Sequence, residues 1–463
     1  MSRSAKHRVV LGACLFLGVL GFVYYGLTHI VGLQLAVWPP KLAFRKDGPA
    51  SASWVSQEMR SPWLEQTSGL VGDCTVFYAA DDEVALGGNN EDGTNPLTKM
   101  WFLPAEKGKY GRVYFGYDNF YPQGGMNDQG LFFDATATAP YEADQKSRPM
   151  YPGILLEKVM EESANVEEAL KLFSQYRFYN LRVEGVMILI GDKTGDSAVL
   201  EGDVVLRKTG RYQVLTNFRQ SAFEKGPYPC PRFTTAVNML EGADSLSIEL
   251  FKQILDATHL ESPAPDTQYS NIYDLNRGIV YLYHFHNFEN VIEIHLDEEL
   301  KKGKRVIDLV SLFPQTGETQ KLLQLKIEAI EKSLAEQQVA AADPETYDAY
   351  VGTYQSEGMT VGVRRVKDRL FIARDELPEL ELLPRSEDTF IHQFYGNGLQ
   401  AQFIKDEAGW VTRLIVRAYG MEFELNKLKL AGFRPWWVVL ILAALSLVAL
   451  AGWQAWRRRF LHH

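Results

Sequence analysis

Apolar and polar residues alternate in short runs over much of the central part of the chain, a pattern typical of β-strands with one buried face. Strands are predicted at 75–79, 84–87, 112–115, 131–135, 186–190, 197–201, 204–208, 212–215, 279–285 and 291–295. They come in two batches with helical patterns between them. This arrangement predicts an α+β fold rather than alternating β-α-β units.

Apolar residues recur at helical spacing between the two batches of strands. The first stripe consists of Ile154, Leu155, Val159 and Met160, and the second of Val166, Ala169, Leu170 and Phe173. Asn165 precedes the second stripe, and Glu168 follows three residues later. This spacing predicts a capping box at the start of the second helix.

Two different patterns follow residue 314. Between 319 and 341, a single apolar stripe formed by Leu323, Ile327, Ile330 and Leu334 predicts an amphipathic connecting helix. Between 347 and 430, short alternating runs at 359–366, 369–373, 400–404 and 411–417 are separated by turn sequences. This second pattern predicts a small antiparallel β-barrel or curved sheet.

Both ends of the chain carry long apolar runs, at 9–37 and 436–456. About 20 apolar residues cross a bilayer, so both runs are predicted to be transmembrane helices. Basic residues lie on the outer flank of each run, which places both termini in the cytoplasm and the middle of the chain outside. The protein is therefore expected to lie in a membrane, crossing it twice and contacting the lipid bilayer. A cleaved signal peptide is the alternative for the first run.

The predicted organisation has six parts. They are a cytoplasmic N-terminus with a transmembrane helix (1–38), a linker or pro-segment (39–73), a catalytic domain (74–314), a connecting helix (315–342), a small β-barrel (343–432), and a transmembrane helix with a basic tail (433–463).

Composition narrows the possible chemistry. The net charge is -10 and no long basic stripe is present, which argues against a nucleic-acid partner. Only Cys14, Cys74 and Cys230 carry thiols, so there is no disulfide framework and no CxxC pair for zinc. His284 and His286 share one face of a predicted strand but lack a visible third ligand. No metal and no cofactor is therefore predicted.

Cys74 is the most informative candidate for catalysis. If the chain were cut before it, its α-amine, with a pKa near 7.7–8.0, would accept the proton of its own thiol. The thiol would then attack an amide carbonyl and form a thioester. Asparagine, aspartate and arginine follow in a characteristic order, in the motifs GDCTVFY (72–78), GNNED (88–92), GGMNDQGL (124–131), LTN (215–217) and PRF (231–233).

In this motif order, the region from Cys74 to residue 314 resembles the choloylglycine hydrolase and acid ceramidase-like acylases, which are N-terminal nucleophile hydrolases. The resemblance implies a four-layer αββα sandwich, autocatalytic cleavage before Cys74, and Cys74 as nucleophile and base. It further implies that Asp92 holds the α-amine, that Asn127 and Asn217 shape the oxyanion site, and that Arg232 supports the nucleophile.

Asn89 departs from the motif of bile salt hydrolases, which have arginine there. Asn89 and the adjacent Asn90 are the candidate substrate-binding residues, and the departure favours the broader branch of linear-amide acylases. In the C-terminal region, the run Tyr350-Val351-Gly352-Thr353-Tyr354 resembles the small lipocalin-like barrel appended to some serine β-lactamase-like peptidases. That resemblance implies an accessory role for the barrel.

The sequence therefore predicts a membrane-anchored cysteine amidohydrolase that cleaves a small-molecule N-acyl amide, with homo-oligomerisation possible. An acyltransferase on the same fold is one alternative. The other is an inactive receptor or assembly module in which Cys74 is a buried thiol or forms a structural disulfide with Cys230.

Overall fold

The computed structural model of the chain describes residues 74–141, 147–177, 185–223, 228–262, 265–314, 325, 327–329, 332, 343–375, 377–393, 398–418 and 421–428. Up to residue 314, the strands are β1 (Thr75–Ala80), β2 (Ala85–Gly93), β3 (Thr98–Leu103), β4 (Arg112–Tyr117), β5 (Pro122–Asn127), β6 (Leu131–Thr138), β7 (Gly185–Asp192), β8 (Ser197–Glu201), β9 (Val204–Arg207), β10 (Tyr212–Leu215), β11 (Asp266–Asp274), β12 (Ile279–His284), β13 (Asn287–His295) and β14 (Arg305–Asp308). The helices are α1 (Leu155–Glu162), α2 (Val166–Gln175), α3 (Pro231–Gly242), α4 (Ile248–Thr258) and α5 (Leu296–Leu300).

These strands form two antiparallel sheets that face each other. Sheet 1 has the order β10-β1-β2-β11-β12-β13, and sheet 2 has the order β14-β3-β4-β5-β6-β7-β8-β9. Helices α3 and α4 pack on the outer face of sheet 1, and α1 and α2 pack on the outer face of sheet 2. The layers thus follow the order α-β-β-α, as the predicted sandwich requires.

Strand β1 fixes the direction in which Cys74 points. Along a strand, successive side chains face opposite sides of the sheet. Val76 and Tyr78 lie in the apolar core between the sheets, whereas Phe77 and Ala79 contact the layer of α3 and α4. Cys74 therefore shares its face with Val76 and Tyr78 and points between the two sheets.

The predicted cap of α2 is confirmed. The side chain of Asn165 accepts a 3.0 Å hydrogen bond from the backbone N–H of Glu168. In return, the Glu168 carboxylate accepts a 2.8 Å hydrogen bond from the N–H of Ala164, one residue before the cap. One backbone donor that the helix leaves unpaired, the N–H of Glu168, is thereby satisfied, together with the N–H of the residue before the cap.

The C-terminal region forms a closed antiparallel barrel, as predicted. Its strands are β15 (Gly352–Gln355), β16 (Thr360–Val366), β17 (Arg369–Arg374), β18 (Leu380–Pro384), β19 (Thr389–Gln393), β20 (Gly398–Lys405), β21 (Val411–Ala418) and β22 (Met421–Lys427), and β15 pairs with β22 to close it. Aromatic side chains fill part of its interior, with the Tyr350 and Phe403 rings stacked at 4.4 Å.

The barrel packs against the sandwich on the side of α1. Arg374 of β17 forms a 2.6 Å ion pair with Glu157 of α1, and its Nη2 donates a 3.0 Å hydrogen bond to the carbonyl of Phe120. Phe120 has a φ of 57° and lies in the same apolar cluster as the barrel interior. The loop between β4 and β5 is thereby held by both parts of the structure.

The prediction of a membrane protein with two transmembrane helices is corrected by the structure. None of the helices within the described residues has the length and apolarity needed to span a bilayer. The runs 9–37 and 436–456 themselves lie outside the described residues. Of the predicted helix at 319–341, residues 325, 327–329 and 332 are described, and they are helical.

Candidate active site

Cys74 stands directly before β1 and is 5% exposed. Its Sγ lies 3.9 Å from Oε2 of Glu91 and 3.8 Å from the carbonyl oxygen of Asp92. Burial, together with the charges of these two carboxylates, raises the pKa of the thiol well above its ordinary value. As an internal residue, Cys74 is therefore a protonated thiol, and it needs a nearby base to become a nucleophile.

Arg232 connects the candidate residues around Cys74. Its Nη1 donates a 3.0 Å hydrogen bond to Oγ1 of Thr75 and lies 3.4 Å from Oδ2 of Asp92. Its Nη2 donates a 3.1 Å hydrogen bond to Oδ1 of Asn217. The arginine belongs to the first turn of α3, where Pro231 is suited to begin a helix. Its planar guanidinium can serve three partners at once.

Asp92 lies near the end of β2 with a fully buried carboxylate. In addition to the contact with Arg232, Oδ1 accepts a hydrogen bond from the hydroxyl of Thr267 on β11. A buried carboxylate needs such partners to stay ionised. This one is adjacent to the start of β1, where a free α-amine at Cys74 would lie.

Asn217 follows β10 and bridges the two sheets. Its Nδ2 donates hydrogen bonds of 2.7 Å to Oγ1 of Thr136 and to the carbonyl of Ala137, both on β6. The backbone carbonyl of Asn217 accepts a 3.0 Å hydrogen bond from the hydroxyl of Thr138. Both amide hydrogens are thus used within the protein. The side chain is firmly placed, but any role at an oxyanion requires one of these bonds to be exchanged.

The structure does not bring Asn127 to this group. Its Nδ2 donates to the carbonyls of Met160 (3.0 Å) and Ser163 (2.8 Å) at the end of α1. Its Oδ1 accepts from the N–H groups of Gln129 and Leu131, both at 3.1 Å. Asn127 therefore fastens the turn between β5 and β6 to α1. The structure gathers Cys74, Asp92, Asn217 and Arg232 and places the fifth candidate elsewhere.

Asn89 and Asn90 point to opposite faces of β2. Asn90 faces α4, donating to the carbonyl of Leu255 at 2.9 Å and to Oγ1 of Thr258 at 3.1 Å. Asn89 lies on the inner face with Glu91 and is fully buried, and neither of its amide atoms makes a hydrogen bond of acceptable geometry. It is nevertheless close enough to Glu91 to help lower the pKa of that carboxyl.

Glu91 is a site residue that the sequence reasoning missed. Its Oε1 accepts a 2.9 Å hydrogen bond from the hydroxyl of Tyr117, and its Oε2 faces Sγ of Cys74. Burial raises the pKa of Glu91 to about 7, although the nearby polar groups of Tyr117, Asn89 and Cys74 act in the opposite direction. Strand alternation was the available signal, since residues 89 and 91 share a face in any strand.

His284 and His286, which were predicted to share one face of a strand, occupy different environments. His284 ends β12, and burial lowers its pKa to about 4. Its ring stacks on Phe313 at 5.3 Å, whereas the His286 ring stacks on His259 at 5.3 Å. Within the described ranges, no three His, Cys, Asp or Glu residues lie close enough together to hold a metal ion.

Comparisons with solved structures find similarity to two hydrolases over about half of this chain. Penicillin V acylase from Agrobacterium tumefaciens is 18% identical, with 51% of this chain and 91% of that one covered and a TM-score of 0.41. Two variant forms of conjugated bile acid hydrolase from Clostridium perfringens are 18% and 19% identical, with TM-scores of 0.40. They cover 53% and 50% of this chain and 98% and 96% of their own. No protein-family model and no curated protein matches the chain.

Proposed function

We propose that this protein is an N-terminal cysteine hydrolase that cleaves a linear amide. The observation that carries the proposal is the position of Cys74, at the start of β1 and facing the space between the sheets, beside the network of Asp92, Arg232 and Asn217. Such a network combines a nucleophile with a buried acid that could orient an amine.

The proposed reaction begins with hydrolysis of the Asp73–Cys74 peptide bond: water adds to the carbonyl carbon of Asp73, the C–N bond breaks, and the α-amine of Cys74 is freed with a proton. That amine accepts the thiol proton, and Sγ attacks the substrate carbonyl carbon. The C–N bond breaks, the amine product leaves with a proton, and the acyl group stays on Sγ as a thioester. Water then attacks the thioester with the α-amine as base, which releases the acid and restores the thiol.

Electrostatics around Cys74 favour this sequence of steps. In the uncut chain, burial raises the pKa of the thiol, and the charges of Glu91 and Asp92 raise it further. A free α-ammonium group at the same residue would introduce a positive charge next to both carboxylates and offset their effect. Cleavage would thus create the base and also lower the cost of forming the thiolate. In this proposal, residues 74–314 form the catalytic domain and the barrel of 343–432 is an accessory.

Replacement of Cys74 tests the proposal directly. Cys74→Ala and Cys74→Ser should both be compared with wild type by intact mass, N-terminal sequencing and hydrolysis of a panel of linear amides of different charge. The panel comprises N-acyl amino acids, bile conjugates and penicillin V, which are anionic, and the p-nitroanilides of heptanoic and 6-aminohexanoic acid, which are not. Cys230→Ser is the matched control, because Cys230 is also a free thiol but only partly buried. We expect cleavage and hydrolysis in wild type and Cys230→Ser, and no hydrolysis in Cys74→Ala.

Two results would contradict the proposal. Unchanged hydrolysis by Cys74→Ala would exclude Cys74 as the nucleophile. Full hydrolysis by a wild-type chain that remains uncut before Cys74 would exclude the α-amine as the base. Repeating the reaction with added amines and identifying the products separates hydrolysis from acyl transfer.

A further inference from the structure

The space between the sheets changes character near Cys74. Most of it is filled by apolar side chains, such as Val76, Phe102, Val113 and Leu189. Near Cys74 the inner faces instead carry a group of polar residues that we name the inner polar cluster: Asn89, Glu91, Asp134, Tyr269, Asn271 and Tyr273. Each member is at most 3% exposed. Polar groups at such a depth require partners, so their pairing is informative.

The strand register brings the members of this cluster together. In the pairing of β2 with β11, Asn89 lies opposite Asn271 and Glu91 lies opposite Tyr269. From the facing sheet, Asp134 of β6 reaches the hydroxyl of Tyr273 at 3.4 Å. On the adjacent strand β5, Gly124 pairs with Asp134, and a Cβ added to this glycine would lie 2.0 Å from the Asp134 carboxylate. A glycine at this position thus makes room for the acid.

Two carboxyl groups in the cluster lack a positive partner within the described part of the chain. The pKa values of Glu91 and Asp134 are both raised, first by burial, and the charge of Glu91 raises that of Asp134 further. The groups that lower them are hydroxyl, amide, thiol and backbone N–H donors, without any cation. Arg232, the cation of the neighbouring network, donates hydrogen bonds to Thr75, Asp92 and Asn217.

Several polar atoms in the cluster also lack a hydrogen-bond partner among the described residues. They are Oδ1 and Nδ2 of Asn89, Oδ1 of Asn271 and the hydroxyl of Tyr269, all of them buried. Burial raises the pKa of Tyr269 well above its ordinary value, and the charges of Glu91 and Asp134 raise it further. Buried polar atoms without partners are rare in folded proteins, so this group calls for an explanation. Oδ1 of Asn89, Oδ1 of Asn271 and the hydroxyl of Tyr269 can each accept a hydrogen bond, so a ligand that donates would fit them.

We propose that the inner polar cluster binds a cationic group, a primary ammonium or a guanidinium, carried by the amide substrate of Cys74. This inference rests on the proposed function and adds a substrate class to it. An ammonium would donate to the orphaned oxygens and supply the positive charge that Glu91 and Asp134 lack. A substrate carboxylate would instead lie next to two acids, which like-charge repulsion disfavours.

Matched substrates test the proposal on the purified wild-type protein, with its processing state recorded by mass. The p-nitroanilides of 6-aminohexanoic, heptanoic and adipic acid share a similar chain but end in an ammonium, a methyl and a carboxylate. We expect the ammonium substrate to exceed the methyl one by about tenfold or more in kcat/KM, as charge-assisted hydrogen bonds warrant, with the carboxylate lowest. A second arm, with N-heptanoyl cadaverine and N-heptanoyl hexylamine, asks whether the cation lies on the amine side.

Isosteric variants assign the preference to the cluster. Glu91→Gln and Asp134→Asn should each reduce the ratio of ammonium to methyl substrate toward one, whatever their absolute rates. Glu289→Gln removes an acid from an exposed position of β13 and should leave the ratio unchanged. Equal rates for the two wild-type substrates in both arms, or a preference for the carboxylate, would overturn the proposal. The cluster would then serve the α-amine of Cys74 itself.

Binding separates a failure of this inference from a failure of the proposed function. Calorimetry of wild-type protein with 6-aminohexanamide, heptanamide and adipamic acid requires no turnover. Selective binding of 6-aminohexanamide without cleavage of any amide would retain the cationic site and exclude the hydrolase. Cleavage of amides without selective binding of 6-aminohexanamide would retain the hydrolase and exclude the cationic site.

Discussion

Nη1 of Arg232 donates a 3.0 Å hydrogen bond to Oγ1 of Thr75, the residue that follows Cys74 in the chain. The contact joins the first turn of α3 to the first residue of β1. Because the same guanidinium reaches Asp92 and Asn217, one side chain sets the spacing of residues that are far apart in sequence. The geometry around Cys74 therefore depends on Arg232 more than on any contact of the thiol itself.

Replacement of Arg232 should affect both stability and activity. Arg232→Ala leaves the fully buried Asp92 carboxylate without its cation, so we expect the free energy of unfolding to fall by about 3 kcal/mol. Arg232→Lys keeps the charge but loses the planar guanidinium that contacts three partners. It should lower kcat by at least about tenfold with a smaller loss of stability. Urea unfolding and amide hydrolysis measure the two effects.

The control is Arg207→Ala, because Arg207 pairs with Asp196 at the surface and is 40% exposed. Its effect should stay below about 1 kcal/mol. If Arg232→Ala proved as stable as this control, the guanidinium would not be compensating Asp92.

Asn127 and Asn217 should behave differently on replacement by alanine. Asn127→Ala leaves two backbone carbonyls at the end of α1 without donors, which should cost about 2 kcal/mol of stability while the folded protein keeps its kcat. Asn217→Ala removes the bridge between Arg232 and β6 and should lower kcat. Measuring kcat per folded molecule separates the effects. Equal loss of kcat in both variants would contradict the structural role of Asn127.

These two asparagines also show what sequence patterns can and cannot resolve. Strand alternation, helical stripes and the cap at Asn165 are local properties, and they predicted the α+β class and the barrel. The four-layer sandwich was implied by the family resemblance. Motif order indicated Asp92, Asn217 and Arg232. It also suggested Asn127, because an asparagine in a glycine-rich turn has the same sequence context whether it faces a catalytic thiol or fastens a helix.

Glu91 was missed for a related reason. Its role depends on Tyr117 and on the pairing of β2 with β11, and neither relation is visible in the run GNNED. The juxtaposition of Asn89 and Asn271, whose amide oxygens both lack a donor, likewise requires knowledge of the register between strands about 180 residues apart. Long-range pairing and burial thus supply the part of the site that local pattern does not encode.

Arg374 should contribute measurably to the attachment of the barrel. Its ion pair with Glu157 is largely buried, with side chains 13% and 15% exposed, and its Nη2 holds the carbonyl of Phe120. We expect Arg374→Ala to lower the free energy of unfolding by about 3 kcal/mol, because Glu157 would remain without its partner. Arg364→Ala breaks an exposed pair with Glu379 on the same barrel and should cost less than about 1 kcal/mol. Equal urea midpoints for the two variants would argue against this contact as an anchor.

The ionisation of Glu91 should make stability depend on pH. Its pKa is about 7 in the folded chain against an ordinary value of 4.5, because burial disfavours the charged form. Between these values the folded protein holds a proton that the unfolded chain has released. The contribution of Glu91 to the free energy of unfolding is therefore fully present below pH 4.5 and is lost as the pH rises through 7. A difference of this size corresponds to at most about 3 kcal/mol.

Glu91→Gln removes this ionisation while keeping the shape and the hydrogen bond from Tyr117. Relative to wild type, the variant should gain stability progressively as the pH rises from about 4.5 to 7, and the gain should level off above that range. Urea unfolding of both proteins at several pH values, with Glu289→Gln as the exposed control, measures the difference. A gap between wild type and Glu91→Gln that stays constant from pH 4.5 to 8 would mean that Glu91 ionises normally. The carboxyl would then have a compensating positive charge nearby, and the inner polar cluster would already be satisfied without a cationic ligand.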